Sequence, residues 1–313
     1  MKGRPEICVT APVPASRFGC MLAPTPKECR PSRAASGPAT VQSRFRVCMI
    51  CCGPTVKARR LCFGCWVVGR QLGGDLAPVV PVSLVTPGTT LHRLLVGYKA
   101  APSSSGRALQ RQRLALVLQT FLYLHAPCLA GVRGRALAIV PVPSSTLGRP
   151  SWAGEHPLVG LVADALQGPS CEIAGLEGTS VTIELLPVLE RSGSAMAHLH
   201  ADTYGFRLRN GTQAMKGRSV VVLDDTYTSG ARSQSAAAAI ARAGAVVTAV
   251  VPIGRLLQPG FDPASALFWN DQVSLAARWT RCAASGLPNA HGSSSLPRRR
   301  VATASPIAPI PIR

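Results

Sequence analysis

Ser219-Val220-Val221-Val222-Leu223-Asp224-Asp225-Thr226-Tyr227-Thr228-Ser229-Gly230-Ala231-Arg232 decides how this chain folds. An apolar, β-branched run reads as a buried strand ending at Leu223. Two adjacent carboxylates follow, then a small-residue turn, then an Ala-rich segment that predicts a helix from about Ala231 to Ala243, stopped by Gly244. Free backbone N–H groups and the positive end of a helix dipole suit a terminal phosphate. Asp224 and Asp225 stand where they accept hydrogen bonds from vicinal ribose hydroxyls. Two neighbouring acids at a strand end are costly without such a partner.

Outward from this stretch the chain alternates strands and helices, as an α/β domain does. Ala136 to Pro143 predicts a buried strand running into a Ser/Gly/Pro loop. His156 to Leu166 predicts a short helix, Val181 to Val188 a second strand and Val246 to Ile253 a further one. A polar loop with Arg191, His198 and His200 precedes Tyr204-Gly205-Phe206. Right-handed crossovers make the sheet parallel, with ligand at the carboxyl ends of its strands.

The cysteines define a second feature. The chain has 11 and no apolar block in residues 1–20 that would form a secretory signal, so metal binding is expected before disulfides. Cys48-x2-Cys51 and Cys62-x2-Cys65 form two knuckles, with Gly53-Pro54 and Gly64 as turning residues. Together they predict a closed four-thiolate site suited to structural Zn2+, with no open position for a substrate. Lys57, Arg59 and Arg60 offset its charge, and Cys52 is an alternative to Cys51 as ligand.

The net charge of the 313 residues is +20. Residues 1–47 carry net +6 and residues 286–313 net +4, so half the excess lies in segments rich in Pro, Ser and Ala. The expected organisation is a disordered basic leader over 1–44, a zinc-ribbon-like module over 45–70, the α/β domain over 71–285 and a disordered basic tail over 286–313. A basic core attracts polyanions, either nucleic acid or a diphosphate. Leu114 to Val132 lacks charge but contains Pro127, which predicts a core helix ending before that residue rather than a membrane span. The protein is expected to be soluble and cytoplasmic.

The stretch from Ser219 to Arg232 resembles the phosphoribosyl-diphosphate (PRPP) motif of type I phosphoribosyltransferases. A four-Cys module, Tyr98-Lys99, a Val-Pro-Val-Pro strand and then that motif together resemble the ComF family, phosphoribosyltransferase-like proteins linked to DNA uptake in competent bacteria. The resemblance covers about residues 45–285 and includes Ile253-Gly254-Arg255 and Trp279-x2-Cys282. It implies a phosphoribosyltransferase-like parallel sheet flanked by helices, with Mg2+ accompanying PRPP. Asp224 and Asp225 are then the ribose-binding acids of the catalytic centre. Thr226, Tyr227, Thr228, Ser229, Gly230, Ala231 and Arg232 line the PRPP site, with Ser144, Ser145 and Lys99 near the pyrophosphate. Many members carry an Arg-Gly-Phe-Asn-type element after the Val-Pro-Val-Pro strand, whereas this chain has Trp152-Ala153-Gly154-Glu155-His156-Pro157, with Arg149 the only basic residue in that loop. The family's link to DNA uptake also implies an alternative, a non-catalytic accessory that binds single-stranded DNA or a helicase-like partner.

Overall fold

The computed structural model describes residues 46–55, 59–130, 136–143, 156–174, 180–192, 197–209, 215–260 and 263–274. The expected leader and tail, Lys57, Ser144, Ser145, Arg149, the Trp152 to Glu155 stretch, Trp279 and Cys282 lie outside them.

A knuckle between β1 (Arg46–Val47) and β2 (Pro54–Thr55) leads to α1 (Phe63–Gln71), β3 (Ser83–Val85), α2 (Thr90–Ala100) and α3 (Ser104–Ala130). Then come β4 (Ala136–Pro141), α4 (Pro157–Leu166), β5 (Ser170–Ala174) and β6 (Ser180–Leu185). A small antiparallel pair, β7 (Leu189–Arg191) and β8 (Phe206–Leu208), precedes β9 (Ser219–Tyr227) and α5 (Ala231–Arg242). β10 (Val246–Leu256) and α6 (Pro263–Ser274) complete the described chain.

Six strands form one sheet in the order β3-β10-β9-β4-β6-β5. All neighbours are parallel except the edge pair β5 and β6, so the sheet is mostly parallel. β9 is buried along nearly its whole length, which is why its sequence is an unbroken apolar run rather than an alternating one. Val221 and Leu223 face a layer built from Leu91 and Leu95 of α2, Leu114, Leu118 and Leu122 of α3, and Leu158 and Val162 of α4. Val220 and Val222 face the opposite layer, where Ala236 and Ile240 of α5 pack with Phe206, Cys48, Cys51 and Cys65. The four-cysteine segment therefore shares a core with the sheet.

From β4 the chain moves toward β5 and β6, then returns to place β9 and β10 on the other side of β4. The crevice between the carboxyl ends of β4 and β9 is thus a switch point, the usual ligand position in such sheets.

Several boundaries differ from expectation, among them β10, which runs past Ile253 to Leu256, and β4, which ends at Pro141. β9 continues past Leu223 to Tyr227, because its ladder with β10 runs through Asp224↔Pro252 and Tyr227↔Arg255. The second predicted strand is shorter, ending at Leu185. α3 runs through Pro127 to Ala130. Proline removes the donor for the Tyr123 carbonyl, but Ala126, Leu129 and Ala130 are buried in the same core as Leu122, and that packing outweighs the lost hydrogen bond. Among the described residues α3 is the one helix long and apolar enough to cross a membrane, and 56% of that apolar window is buried within the fold.

Candidate phosphate turn and four-cysteine centre

The carboxyl end of β9 carries two acids that are almost wholly buried, Asp224 at 1% exposure and Asp225 at 3%. Strand alternation sends them to different layers. Asp224 reaches α5, accepting from the Ser233 hydroxyl at 2.6 Å and from Arg232 Nη2 at 3.1 Å. Asp225 reaches α2, accepting from the Tyr98 hydroxyl at 2.5 Å and pairing with Lys99. Arg232 also lies 3.8 Å from Asp225. Tyr98 and Lys99 occupy the last turn of α2, where the helix end favours a cation.

Burial pushes both carboxyls up, and the outcome depends on their cations. Lys99 and then Arg232 overcome burial at Asp225 and hold it well below the ordinary carboxylate range. At Asp224 burial prevails over Arg232, with the Asp225 charge adding to it, and the carboxyl is raised. Burial, then the Asp225 charge, also raise the Tyr98 phenol, so it remains a donor.

Other basic groups lie near the acids. Arg191 of β7 faces Arg232, and burial together with that neighbouring charge lowers its pKa. His156 caps α4, its Nδ1 accepting from the Leu158 N–H at 3.2 Å. Burial, then Lys99, depress it to about 4, so it is neutral at pH 7. Lys99 and Arg232 stand beside the two carboxylates, and both are cations on which an anion can draw. The Arg232 Nε is buried without a hydrogen-bond partner.

The turn after β9 ends in Gly230, the N-cap of α5, with φ +82° and no side-chain cap. A Cβ there would lie 2.0 Å from the Tyr227 hydroxyl, so the position requires glycine both for its backbone angle and for space. The Ala231 N–H donates to the Ser229 hydroxyl at 3.5 Å, and the other first-turn amides of α5 have no intrahelical acceptor. Thr228, Ser229, Gly230, Ala231 and Arg232 are thus brought together with Asp224, Asp225 and Lys99. Thr226 is partly buried within β9. Tyr227 is not on the open side of the turn. It is fully buried beneath it, with its hydroxyl 3.7 Å from Cys65 Sγ. His198 and His200 are exposed, and Glu190 pairs with Arg207 at 3.2 Å and Arg209 at 2.8 Å rather than with Arg191.

On the layer that holds α5, the Sγ atoms of Cys48, Cys51, Cys62 and Cys65 all lie within 4.8 Å of one another. Cys51 and Cys62 are 3.6 Å apart, close to the sulfur–sulfur edge of about 3.8 Å that tetrahedral zinc thiolates require. The first knuckle is closed by Cys48 N–H to Gly53 O at 2.8 Å and Cys52 N–H to Cys48 O at 3.2 Å. The second pair sits at the N-terminus of α1, with Cys62 as N-cap accepting from the Cys65 N–H, where the dipole favours thiolate. These four cysteines fit a metal ion such as zinc. Cys52 does not join them, since its thiol is directed at the Val79 carbonyl at 3.7 Å. Burial, then the charges of Cys51 and Cys48, push Cys52 up to about 12. Hydrogen bonds from Cys48, Cys62 and Cys65, with Arg255 behind them, hold Cys51 well below the usual thiol range.

Arg255, noted in the sequence only within Ile253-Gly254-Arg255, was given no role at the site. It is the lone charge in the buried apolar run of β10, and such a charge requires a partner; its partners are Cys51, 204 positions away, and the Tyr227 carbonyl of the turn, 28 positions away. Compared with known proteins, the chain matches no family model, no curated protein and no solved structure.

Proposed function

We propose that this protein binds PRPP, or a related ribose 5-phosphate ligand, at the carboxyl end of β9 on a phosphoribosyltransferase-type sheet, as the ComF-like order of its motifs implies. The observation that carries the reading is the uncapped α5 N-terminus at left-handed Gly230, set directly after two buried carboxylates that already hold Lys99 and Arg232.

In this reading the 5′-phosphate sits on the amides of the 228–231 turn, so remote binding energy fixes C1 of the sugar. The diphosphate draws Lys99 and Arg232 toward itself, and the oxygens they release on Asp224 and Asp225 accept the ribose hydroxyls. Asp225, held ionised, faces the positive charge that develops at C1 as the bond to pyrophosphate breaks. The bond that forms is between C1 and a nucleophile of the acceptor, pyrophosphate leaves with the electron pair, and the acceptor gives up its proton. That proton passes to solvent water. Mg2+ would enter with the diphosphate as its counter-ion. Zn2+ in the four-cysteine centre contributes folding energy. The protein is proposed to act as a soluble cytoplasmic component, with α3 in its core. Titration calorimetry of PRPP with Mg2+ into zinc-loaded protein tests the reading: micromolar binding, abolished by Asp224→Asn/Asp225→Asn, supports it, and absence of binding rejects it.

A second reading, a nucleic-acid or helicase-associated accessory role, is favoured by one surface. Phe63 and Trp66 on α1 are 59% and 36% exposed with ring centroids 6.2 Å apart. Arg70 lies 5.5 Å over Trp66, and Arg59 and Arg60 are exposed nearby in sequence. Aromatic faces among arginines suit single-stranded bases. Anisotropy with labelled oligonucleotide, compared with Phe63→Ala/Trp66→Ala, decides this reading.

A further inference from the structure

The four-cysteine centre and the phosphate turn are joined by one side chain. Arg255 is 7% exposed. Its Nη2 lies 3.6 Å from Cys51 Sγ. Its Nη1 donates to the carbonyl oxygens of Tyr227 at 3.1 Å, Thr228 at 3.0 Å and Leu256 at 2.6 Å. The guanidinium carbon stands 5.2 Å over the Tyr227 ring. Two glycines make the approach possible: a Cβ at Gly53 would lie 2.8 Å from Arg255 Nη2, and one at Gly64 would lie 3.2 Å from the Ser229 carbonyl oxygen.

Peptide geometry gives these contacts a direction. In a trans peptide the carbonyl of one residue and the N–H of the next point oppositely. Drawing the Tyr227 and Thr228 carbonyls toward Arg255 therefore turns the Thr228 and Ser229 N–H groups away from it, toward the open side of the turn. A divalent metal held by four thiolates leaves the centre with net negative charge, and a buried guanidinium beside it gains a charge-assisted partner in Cys51. A metal that fixes the Cys51 sulfur also fixes the partner on which the far end of Arg255 rests.

The geometry points to Arg255 as a positioning residue through which the metal-loaded four-cysteine centre orients the Thr228 and Ser229 amides for an anion. This inference rests on the phosphate reading of the turn. It makes metal retention and phosphate affinity reciprocal, so a ligand on the turn strengthens metal binding by the same factor that metal strengthens ligand binding.

The test uses the full chain, wild type, Arg255→Met and Arg255→Lys, each checked for metal content and for the thiolate absorption of a Co2+-substituted centre. Hydrogen exchange is followed over a peptide covering residues 226–232, and ribose 5-phosphate is titrated in parallel. With metal retained, Arg255→Met is expected to exchange faster there by about tenfold and to bind ribose 5-phosphate about tenfold more weakly. Arg255→Lys, which keeps the charge but not the second nitrogen, falls between, and it decides the matter if Arg255→Met does not fold. Stripping metal from the wild type is expected to reproduce the faster exchange. Metal-loaded variants with wild-type exchange would overturn the inference, as would wild-type ribose 5-phosphate affinity. If the wild type binds no ribose 5-phosphate, the phosphate reading fails on its own, and the exchange comparison alone decides whether Arg255 positions the turn.

Discussion

Asp224 and Asp225 are neighbours in β9 that serve opposite layers of the protein, the first clamped by Arg232 and Ser233 of α5 and the second by Lys99 and Tyr98 of α2. The acidic pair is therefore a structural rivet as well as a candidate site, and the two roles separate under mutation.

Asp225→Asn leaves Lys99 facing a neutral group in a largely buried position. Breaking such a pair costs about 3 kcal/mol, and urea unfolding is expected to show a loss of that size with an unchanged m value. Lys99→Met/Asp225→Asn should recover part of it, since the uncompensated charge is gone. A loss below about 0.5 kcal/mol for the single variant would put the pair at the level of surface ion pairs.

Gly230→Ala forces a Cβ into the Tyr227 hydroxyl at a left-handed backbone position. The expected cost is at least about 2 kcal/mol, read from thermal or urea unfolding. Tyr227→Phe should not rescue it, because the ring carbon Cζ lies only 2.2 Å from the added Cβ. Full rescue would mean that the hydroxyl alone sets the limit.

Cys51→Ser and Cys52→Ser should differ sharply although the residues are adjacent. The Cys51 thiol lies within the four-sulfur cluster and that of Cys52 points to Val79. Elemental analysis is expected to give about one metal ion per chain for wild type and Cys52→Ser, and far less for Cys51→Ser. Equal retention by both serine variants would contradict the ligand set.

His156 gives stability a pH dependence with a defined sign. Its pKa is depressed from 6.5 to about 4 by burial and by Lys99, so the unfolded chain takes up this proton before the folded one does. The contribution is full above pH 6.5 and is lost progressively as pH falls toward 4. His156→Asn retains a capping acceptor for α4 and removes the titration. Denaturation midpoints measured across that window are expected to fall more steeply for wild type than for the variant, and parallel slopes would refute the assignment.

Periodicity and small-residue chemistry made β9, the turn and α5 legible, because an unbroken apolar run, Gly230 and an Ala-rich segment each allow few conformations. The end of β9 was not legible, since it depends on how far β10 runs beside it, to Arg255. The helix end at Pro127 was misread because local propensity says nothing about the burial of Leu129 and Ala130. β5 carries no strand signal of its own: Ser-Cys-Glu-Ile-Ala is short and mixed, and it pairs antiparallel at the sheet edge only because β6 offers it a ladder. The cysteine spacing announced a four-thiolate centre but could not choose between Cys51 and Cys52, a choice made by the direction of one side chain. The link from that centre to the turn, through Arg255 and Tyr227, joins residues that no local pattern relates.

The central claim is that the 228–231 turn holds a sugar's terminal phosphate, and a four-ligand calorimetric series tests it most directly. PRPP, ribose 5-phosphate, pyrophosphate and ribose are titrated with Mg2+ into the zinc-loaded chain. The account predicts that PRPP binds tightest, that ribose 5-phosphate binds measurably and that ribose does not, with Gly230→Ala weakening both phosphorylated sugars. Binding of pyrophosphate alone, with ribose 5-phosphate silent and Gly230→Ala without effect, would contradict it.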